Sequence, residues 1–272
     1  MPQPRPLVMG IVNVTPDSFS DGGRFLATDD AVAHGHELLA DGADILDIGG
    51  ESTRPGATRP LVEDELARVV PVISELAADG AVVSVDTMRA EVAEAALAAG
   101  ATIVNDVSGG LADPRILSVT AAADATYLCM HWRGHSDVMQ SLTSYDGPGG
   151  VVAAVRAELG QRVEAARAAG VEKLVVDPGL GFAKTADQNW ELLRGLDALE
   201  ELGLPVLVGA SRKAFLGRLL ESEAGEPRPV GEREDAHVAL VALLAARGLW
   251  GVRVHDVRAT RDALAVVGRM VG

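Results

Sequence analysis

Apolar residues along the chain fall into short β-branched runs separated by longer segments of helical spacing. The first run, residues 7–12, turns polar at Asn13 and opens into a loop of Thr, Pro, Asp, Ser and Gly that lasts to Gly23. That pattern predicts a buried strand feeding an exposed functional loop. Similar runs recur at 44–48, 81–85, 101–104, 125–130, 173–176, 205–209 and 250–254. The segments between them predict helices. Residues 31–40 follow a capping pair, Asp29-Asp30, and stop at Gly42; residues 61–78 place Leu66, Val69, Val70, Ile73 and Leu76 on one face. Further helices are predicted over 89–99, 114–123, 151–169, 186–202 with a break near Gly195, 215–220, 235–247 and 257–270; residues 221–232 form a polar loop. Eight strands alternating with helices imply a parallel sheet joined by crossovers. The candidates are a doubly wound open sheet and a (β/α)₈ barrel. The length of 272 residues suits the barrel. An open sheet concentrates binding at one switch point, whereas here polar residues close nearly every strand. The expectation is a single (β/α)₈ barrel domain, an α/β fold over 1–272.

Composition narrows the partners more than the fold. The chain is 48% hydrophobic, enough for a large core, and its net charge of -15 makes nucleic acid and anionic membranes poor partners. A single cysteine, Cys129, sits in an apolar run; it excludes a disulfide framework, fits a reducing cytoplasm and reads as a buried inert thiol. No signal peptide or membrane-spanning run is evident. Of the 24 basic side chains only Lys173, Lys184 and Lys213 are lysines, as if a compact amine were needed at some of these places.

At the strand ends stand Asn13, Asp86, Asn105, Asp177, Lys213, Arg253 and His255. In a barrel all rise from the carboxyl rim into one bowl. Taken singly each has a plainer use: Asp86 and Asn105 as helix caps, Asp177 before proline as a turn. Together they divide into two chemistries. Asp86, Asn105 and Asp177 suit a flat heterocycle with an N–H-rich edge, and Lys213 can donate to its carbonyl or ring nitrogen. Asn13, Arg253 and His255 suit an anion such as phosphate, with Asn13 also able to offer an oxygen to Mg²⁺. The loops 13–23 and 49–60 carry Phe19, Asp21 and Arg54 and resemble lids. Other motifs fail on placement. His34 and His36 lie mid-helix on different faces; His131 has no second histidine nearby for zinc; Gly179 and Gly181 lack the rest of a dinucleotide fingerprint; Ser211 lacks a nucleophile elbow.

Seven segments carry a family resemblance: MGIVNVTPDSFSDGG (9–23), DIGGESTRPG (47–56), VSVDT (83–87), VNDVSG (104–109), DPGLGF (177–182), GASRK (209–213) and VRVHD (252–256). In this order they resemble dihydropteroate synthases, the folate-pathway enzymes that sulfonamides inhibit, in an actinobacterial version. The resemblance implies a (β/α)₈ barrel, a homodimer and a Mg²⁺-dependent condensation. The substrates would be 7,8-dihydropterin-6-ylmethyl diphosphate and 4-aminobenzoate, with early C–O cleavage. It implies pterin binding by Asp86, Asn105, Asp177 and Lys213, with Met130 on the ring face. Asn13, Arg253 and His255 would hold the diphosphate, and Asn13 and Asp21 the metal. Thr53, Arg54, Pro55, Phe182 and Ser211, with Phe19, would form the aminobenzoate side. Catalytic roles fall to Asp21, Lys213, Arg253 and His255. Two rival readings share the pterin pocket: a methyltetrahydrofolate:corrinoid methyltransferase and a non-catalytic pterin-binding paralogue. The first needs neither lid nor anion set, and the second predicts losses there, yet all these residues are present. One departure from the family, Glu234-Asp235-Ala236-His237, lies away from the rim and is expected to affect packing or the dimer contact.

Overall fold

A computed structural model describes residues 5–14, 24–51, 59–135 and 138–271. Eight strands alternate with helices: β1 (Leu7–Asn13), β2 (Ile45–Gly49), β3 (Val83–Asp86), β4 (Ile103–Asp106), β5 (Thr126–Met130), β6 (Leu174–Asp177), β7 (Leu207–Val208) and β8 (Gly251–Val254). All pair in parallel, in the order β6-β5-β4-β3-β2-β1-β8-β7. A parallel bridge between Val176 and Val206 joins the two ends of that order and closes the ring. The expected (β/α)₈ barrel is therefore the fold. Around it run α1 (Arg24–Ala40), α2 (Val62–Ala78), α3 (Ala90–Ala98), α4 (Arg115–Ala122), α5 (Gly150–Ala168), α6 (Ala186–Arg194), α7 (Ala214–Leu219), α8 (Glu234–Ala245) and α9 (Val257–Val271).

Several elements depart from the sequence reading: β7, expected over 205–209, is only Leu207–Val208, and Val230–Glu232 in the expected polar loop forms a 3₁₀ turn. Helix α1 starts seven residues before Ala31, so Asp29 and Asp30 lie inside it and cap nothing. Beyond α6 the chain breaks at Gly195, as expected, but the remainder, Leu196–Leu202, winds as a 3₁₀ helix.

Strand residues alternate between two cores, as a closed pleated sheet requires. Val8, Val12, Val83, Val85, Val104, Tyr127, Cys129, Val176, Val208, Val252 and Val254 pack outward under the helices. Met9, Ile45, Ile103, Leu128, Val175 and Leu207, from six strands, pack on one another inside the barrel, with Leu7 and Trp250 against them. This inner plug fills the lower barrel. Counting on by twos along the same inward phase gives Asn13, Asp47, Asp86, Asn105, Met130, Asp177, Arg253 and His255. The alternation that buries the inner plug therefore also delivers these side chains to the upper, carboxyl end.

Candidate active site

At that end the register aligns Asn13, Gly49, Asp86 and Asn105 across four neighbouring strands. Two inward positions are glycines. A side chain at Gly49 would meet Asp86, and one at Gly209 would meet Arg253 and Asp177, so both leave the floor of the bowl open.

The floor is a charged network. Arg253 donates through Nε to Asp47 Oδ2 at 2.5 Å and through Nη2 to Asp86 Oδ2 at 2.7 Å. Asn105 donates through Nδ2 to the same Asp47 oxygen at 2.9 Å. Asp47 is completely buried. Burial works against the Arg253 charge, but Asp47 and Asp86 outweigh it and raise the group further above its ordinary range. Burial pushes the Asp86 carboxyl up to about 7; Arg253 opposes this and Asp47 reinforces it. Across the bowl, Asp177 Oδ1 accepts from the Gly179 amide at 2.6 Å, and burial raises its pKa despite Lys213. Lys213 donates to the Leu180 carbonyl and sits 5.0 Å from the centre of the Phe182 ring. Burial lowers its amine to about 8 against the pull of Asp177, and Arg253 adds to the lowering.

The walls differ in character. Met88, Val107 and Met130 form a small apolar cluster joined by Phe182 and Trp132. On the opposite flank the Ser211 Oγ accepts from the His255 amide at 3.3 Å and lies 2.9 Å from His255 Nδ1. The hydroxyl keeps a second lone pair and its own proton, so it can serve either tautomer of the His255 ring at Nδ1.

The structure thus brings together Asp86, Asn105, Asp177, Lys213 and Arg253, with Met130 and Phe182 as a wall and Ser211 and His255 as a pair. Asn13 stands half-buried at the end of β1, in register with Gly49. Asp21, Thr53, Arg54, Pro55 and Phe19 lie outside the described residues, as do residues 15–23 and 52–58 of the expected lids at 13–23 and 49–60. Arg253 does not stand apart with the anion set as the sequence division had it; it bridges two carboxylates on the floor.

Sequence reasoning gave no place in the site to Asp47 or Asp106, and named Lys184 only for the scarcity of lysine. Asp47 lies two residues before its strand ends, so a search of strand ends misses it; a lone carboxylate on the inward phase of a five-residue apolar strand was the available signal. Lys184 is buried, and its Nζ reaches the Gly179 and Phe182 carbonyls and His131 Nδ1 at 2.9–3.0 Å. His131 in turn bonds Glu158 through Nε2 at 2.9 Å. This chain of contacts shapes the loop that carries Asp177 to Phe182. Asp106, adjacent to Asn105 but on the outward phase, accepts from the Ser108 and Gly110 amides and the Tyr127 hydroxyl, and so folds the loop after β4 rather than serving the bowl.

Among the described residues no group of three or more His, Cys, Asp or Glu side chains is placed to hold a metal ion. The Asn13 carboxamide is a hard oxygen donor of the kind Mg²⁺ takes alongside substrate phosphates and water, without a protein cage.

Residues 9–255 match the model of a family described as pterin binding enzymes. The chain is 56% identical over 265 residues to the dihydropteroate synthase of Mycobacterium leprae, covering 96% of this chain and 92% of that one. Among solved structures it resembles the Xanthomonas albilineans dihydropteroate synthase with 4-aminobenzoic acid (47% identity, 98% and 93% coverage, TM-score 0.88). It also resembles that organism's enzyme in complex with 7,8-dihydropteroate (43% identity, 99% and 95% coverage, TM-score 0.84). Likeness along nearly the whole chain places this protein in the dihydropteroate synthase family of pterin-binding enzymes.

Proposed function

We propose that the protein joins 7,8-dihydropterin-6-ylmethyl diphosphate to 4-aminobenzoate, giving 7,8-dihydropteroate and pyrophosphate. The observation that carries this reading is the convergence of Asp86, Asn105, Asp177, Lys213 and Arg253 in one mouth. The 4-aminobenzoic acid and 7,8-dihydropteroate in the Xanthomonas complexes support the same substrate and product here.

In this reading Asp86 and Asp177 accept N–H bonds from the pterin edge, Asn105 adds an amide contact, and Lys213 donates to the ring carbonyl or nitrogen. Met130 packs on the ring face, and Phe182, beside it in the apolar wall, borders the aminobenzoate side. As the C–O bond to the diphosphate breaks, positive charge spreads onto the ring, where both carboxylates favour it. The remaining N–H groups of Arg253, with the His255 ring, face the departing diphosphate and stabilise its growing charge. The aniline nitrogen then forms the C–N bond and releases a proton. Among the described residues none is needed as a strong base, because an aniline nitrogen is already nucleophilic. Thr53, Arg54, Pro55, Phe19 and Ser211 complete the aminobenzoate side. Mg²⁺, held by Asn13 with Asp21, would supply further charge neutralisation to the diphosphate.

A homodimer is also proposed. Leu243 on α8 and Val266 and Met270 on α9 are large apolar side chains exposed by 63–81% on neighbouring helices, which a two-fold contact would cover. A cytoplasmic location accords with the single buried thiol of Cys129, and no described helix is long and apolar enough to cross a membrane.

The test is pyrophosphate release on mixing the protein with the pterin diphosphate, Mg²⁺ and 4-aminobenzoate. Release only when both organic substrates are present is expected. Equal release without 4-aminobenzoate would mean hydrolysis and overturn the reading.

A further inference from the structure

Asp47 is a completely buried charged group on the inward phase of β2. It sits one inward layer below the Asp86–Asn105 row, in register with Ile11 and Ser84. Its side chain has no exposed surface, so it cannot touch a substrate. Yet one of its oxygens holds two groups from opposite sides of the barrel, Arg253 from β8 and Asn105 from β4. Its other oxygen, Oδ1, and the Oγ of Ser84 are buried without a hydrogen-bond partner among the described residues. A carboxylate kept in this state is costly, and an apolar side chain would serve stability as well or better.

We propose that Asp47 is a positioning residue for both halves of the transfer, fixing which atoms of Asn105 and Arg253 face the substrate. This rests on the reaction proposed above. An asparagine amide can turn either its oxygen or its nitrogen toward a ligand. With Nδ2 committed to Asp47, Asn105 presents Oδ1, an acceptor, to the bound heterocycle. The guanidinium is likewise keyed: Nε goes to Asp47 and one Nη2 hydrogen to Asp86, which fixes its plane and leaves Nη1 and the second Nη2 hydrogen for the departing anion. One buried oxygen thereby couples the orientation of a ring-binding group to that of a leaving-group donor.

The test is a double-mutant cycle between Asp47→Asn and Asn105→Ala, measured as kcat/KM and as affinity for a pterin lacking the diphosphate. Asp47→Asn is expected to lower kcat/KM on the order of 10²-fold, the cost of a small misplacement of reacting groups. Pterin affinity should fall with it. The double variant is expected to lose little more than the worse single variant, because Asp47 acts through its partner. The limb of the pH profile that belongs to Asp86 should also move to lower pH, since Asp47 no longer adds its charge; a merely structural role would not move it. Independent, additive losses or an unmoved limb would overturn the proposal. If Asp47→Asn does not fold, the unmutated protein still decides: the Asn105 side-chain NH₂ should exchange with solvent far more slowly than a free amide, and rapid exchange would overturn the lock. A wild-type protein that binds no pterin would instead defeat the proposed reaction, a different outcome from normal wild-type turnover with an unaffected Asp47→Asn variant.

Discussion

A single protonation decides whether Asp86 can accept N–H bonds from a pterin. Its carboxyl, pushed up to about 7 by burial, is half-ionised near neutrality and mostly protonated well below it, so protons compete with the ligand on the acid side. Lys213, lowered to about 8 by burial, loses its donating charge on the alkaline side. Affinity for a pterin without diphosphate should therefore rise as pH climbs through about 7 and fall above about 8. Titration calorimetry from pH 6 to 9 checks this: Asp86→Asn should remove most of the acid limb, and Lys213→Arg should remove the alkaline one. A flat wild-type profile would contradict both assignments. Arg253 carries a compound prediction. As a donor to the leaving group its loss should cost turnover roughly 10²–10³-fold. But it also neutralises Asp47 and Asp86, so Arg253→Ala should weaken pterin binding as well and move the Asp86 limb upward. Unchanged kcat in steady-state assays of that variant would remove the diphosphate role. From sequence alone an arginine among strand ends reads as a phosphate ligand; that it also bridges two carboxylates depends on ring closure bringing β8 within reach of β2 and β3, which no local pattern encodes.

Loop shape after β6 depends on one backbone position. Gly179 has φ +66, and a Cβ there would overlap the His131 carbonyl oxygen. Its amide holds Asp177 and its carbonyl receives Lys184. Gly80, at the end of α2, also has a positive φ of +88, but a Cβ would meet nothing within 4 Å. Gly80→Ala should therefore cost only the left-handed strain, about 1–2 kcal/mol, with full turnover. Gly179→Ala should lower stability further and disable turnover, because Asp177 and Phe182 move with the loop. Thermal melts and steady-state assays of the two variants check the contrast; similar behaviour would mean the loop tolerates the shift. Helix ends at Gly80 and Gly100 were legible because glycine has a specific physical use there. The start of α1 was not, since Asp29-Asp30 before an apolar run has the composition of a cap whether or not the helix has already begun. The scarcity of lysine marks two amines that the fold buries. Lys184 is buried and Lys213 half-buried among backbone carbonyls, while Lys173 pairs with Asp124 at the surface. Only geometry could separate the three.

For the whole molecule, the legible part was the alternation: strand runs, helical spacing and polar ends imply a barrel with one active face, and the residues on that face follow by counting in twos. What sequence could not supply is which charges meet once the ring closes, and those meetings set the acid response of the fold. His131 is buried between Lys184 and Glu158; burial lowers its pKa to about 4, the Lys184 charge adds to this, and Glu158 opposes it. In the unfolded chain it would titrate near 6.5. Between those values the unfolded state binds more protons, so stability rises with pH. The contribution is fully present above about 6.5 and is lost as pH falls toward 4, on the order of 3 kcal/mol in all. Asp86, raised rather than lowered, works in the opposite direction over part of the same range, so the wild-type curve alone would mix the two. His131→Gln separates them, because glutamine offers one donor to Glu158 and one acceptor to Lys184 without titrating. Urea unfolding at pH 7.5 and pH 5 should give similar stabilities for variant and wild type at the higher pH, and a wild type clearly less stable than the variant at the lower. A constant difference across that range would mean that His131 accepts a proton without disturbing the Lys184 brace, and the loop carrying Asp177 would then be held by Gly179 and the backbone alone.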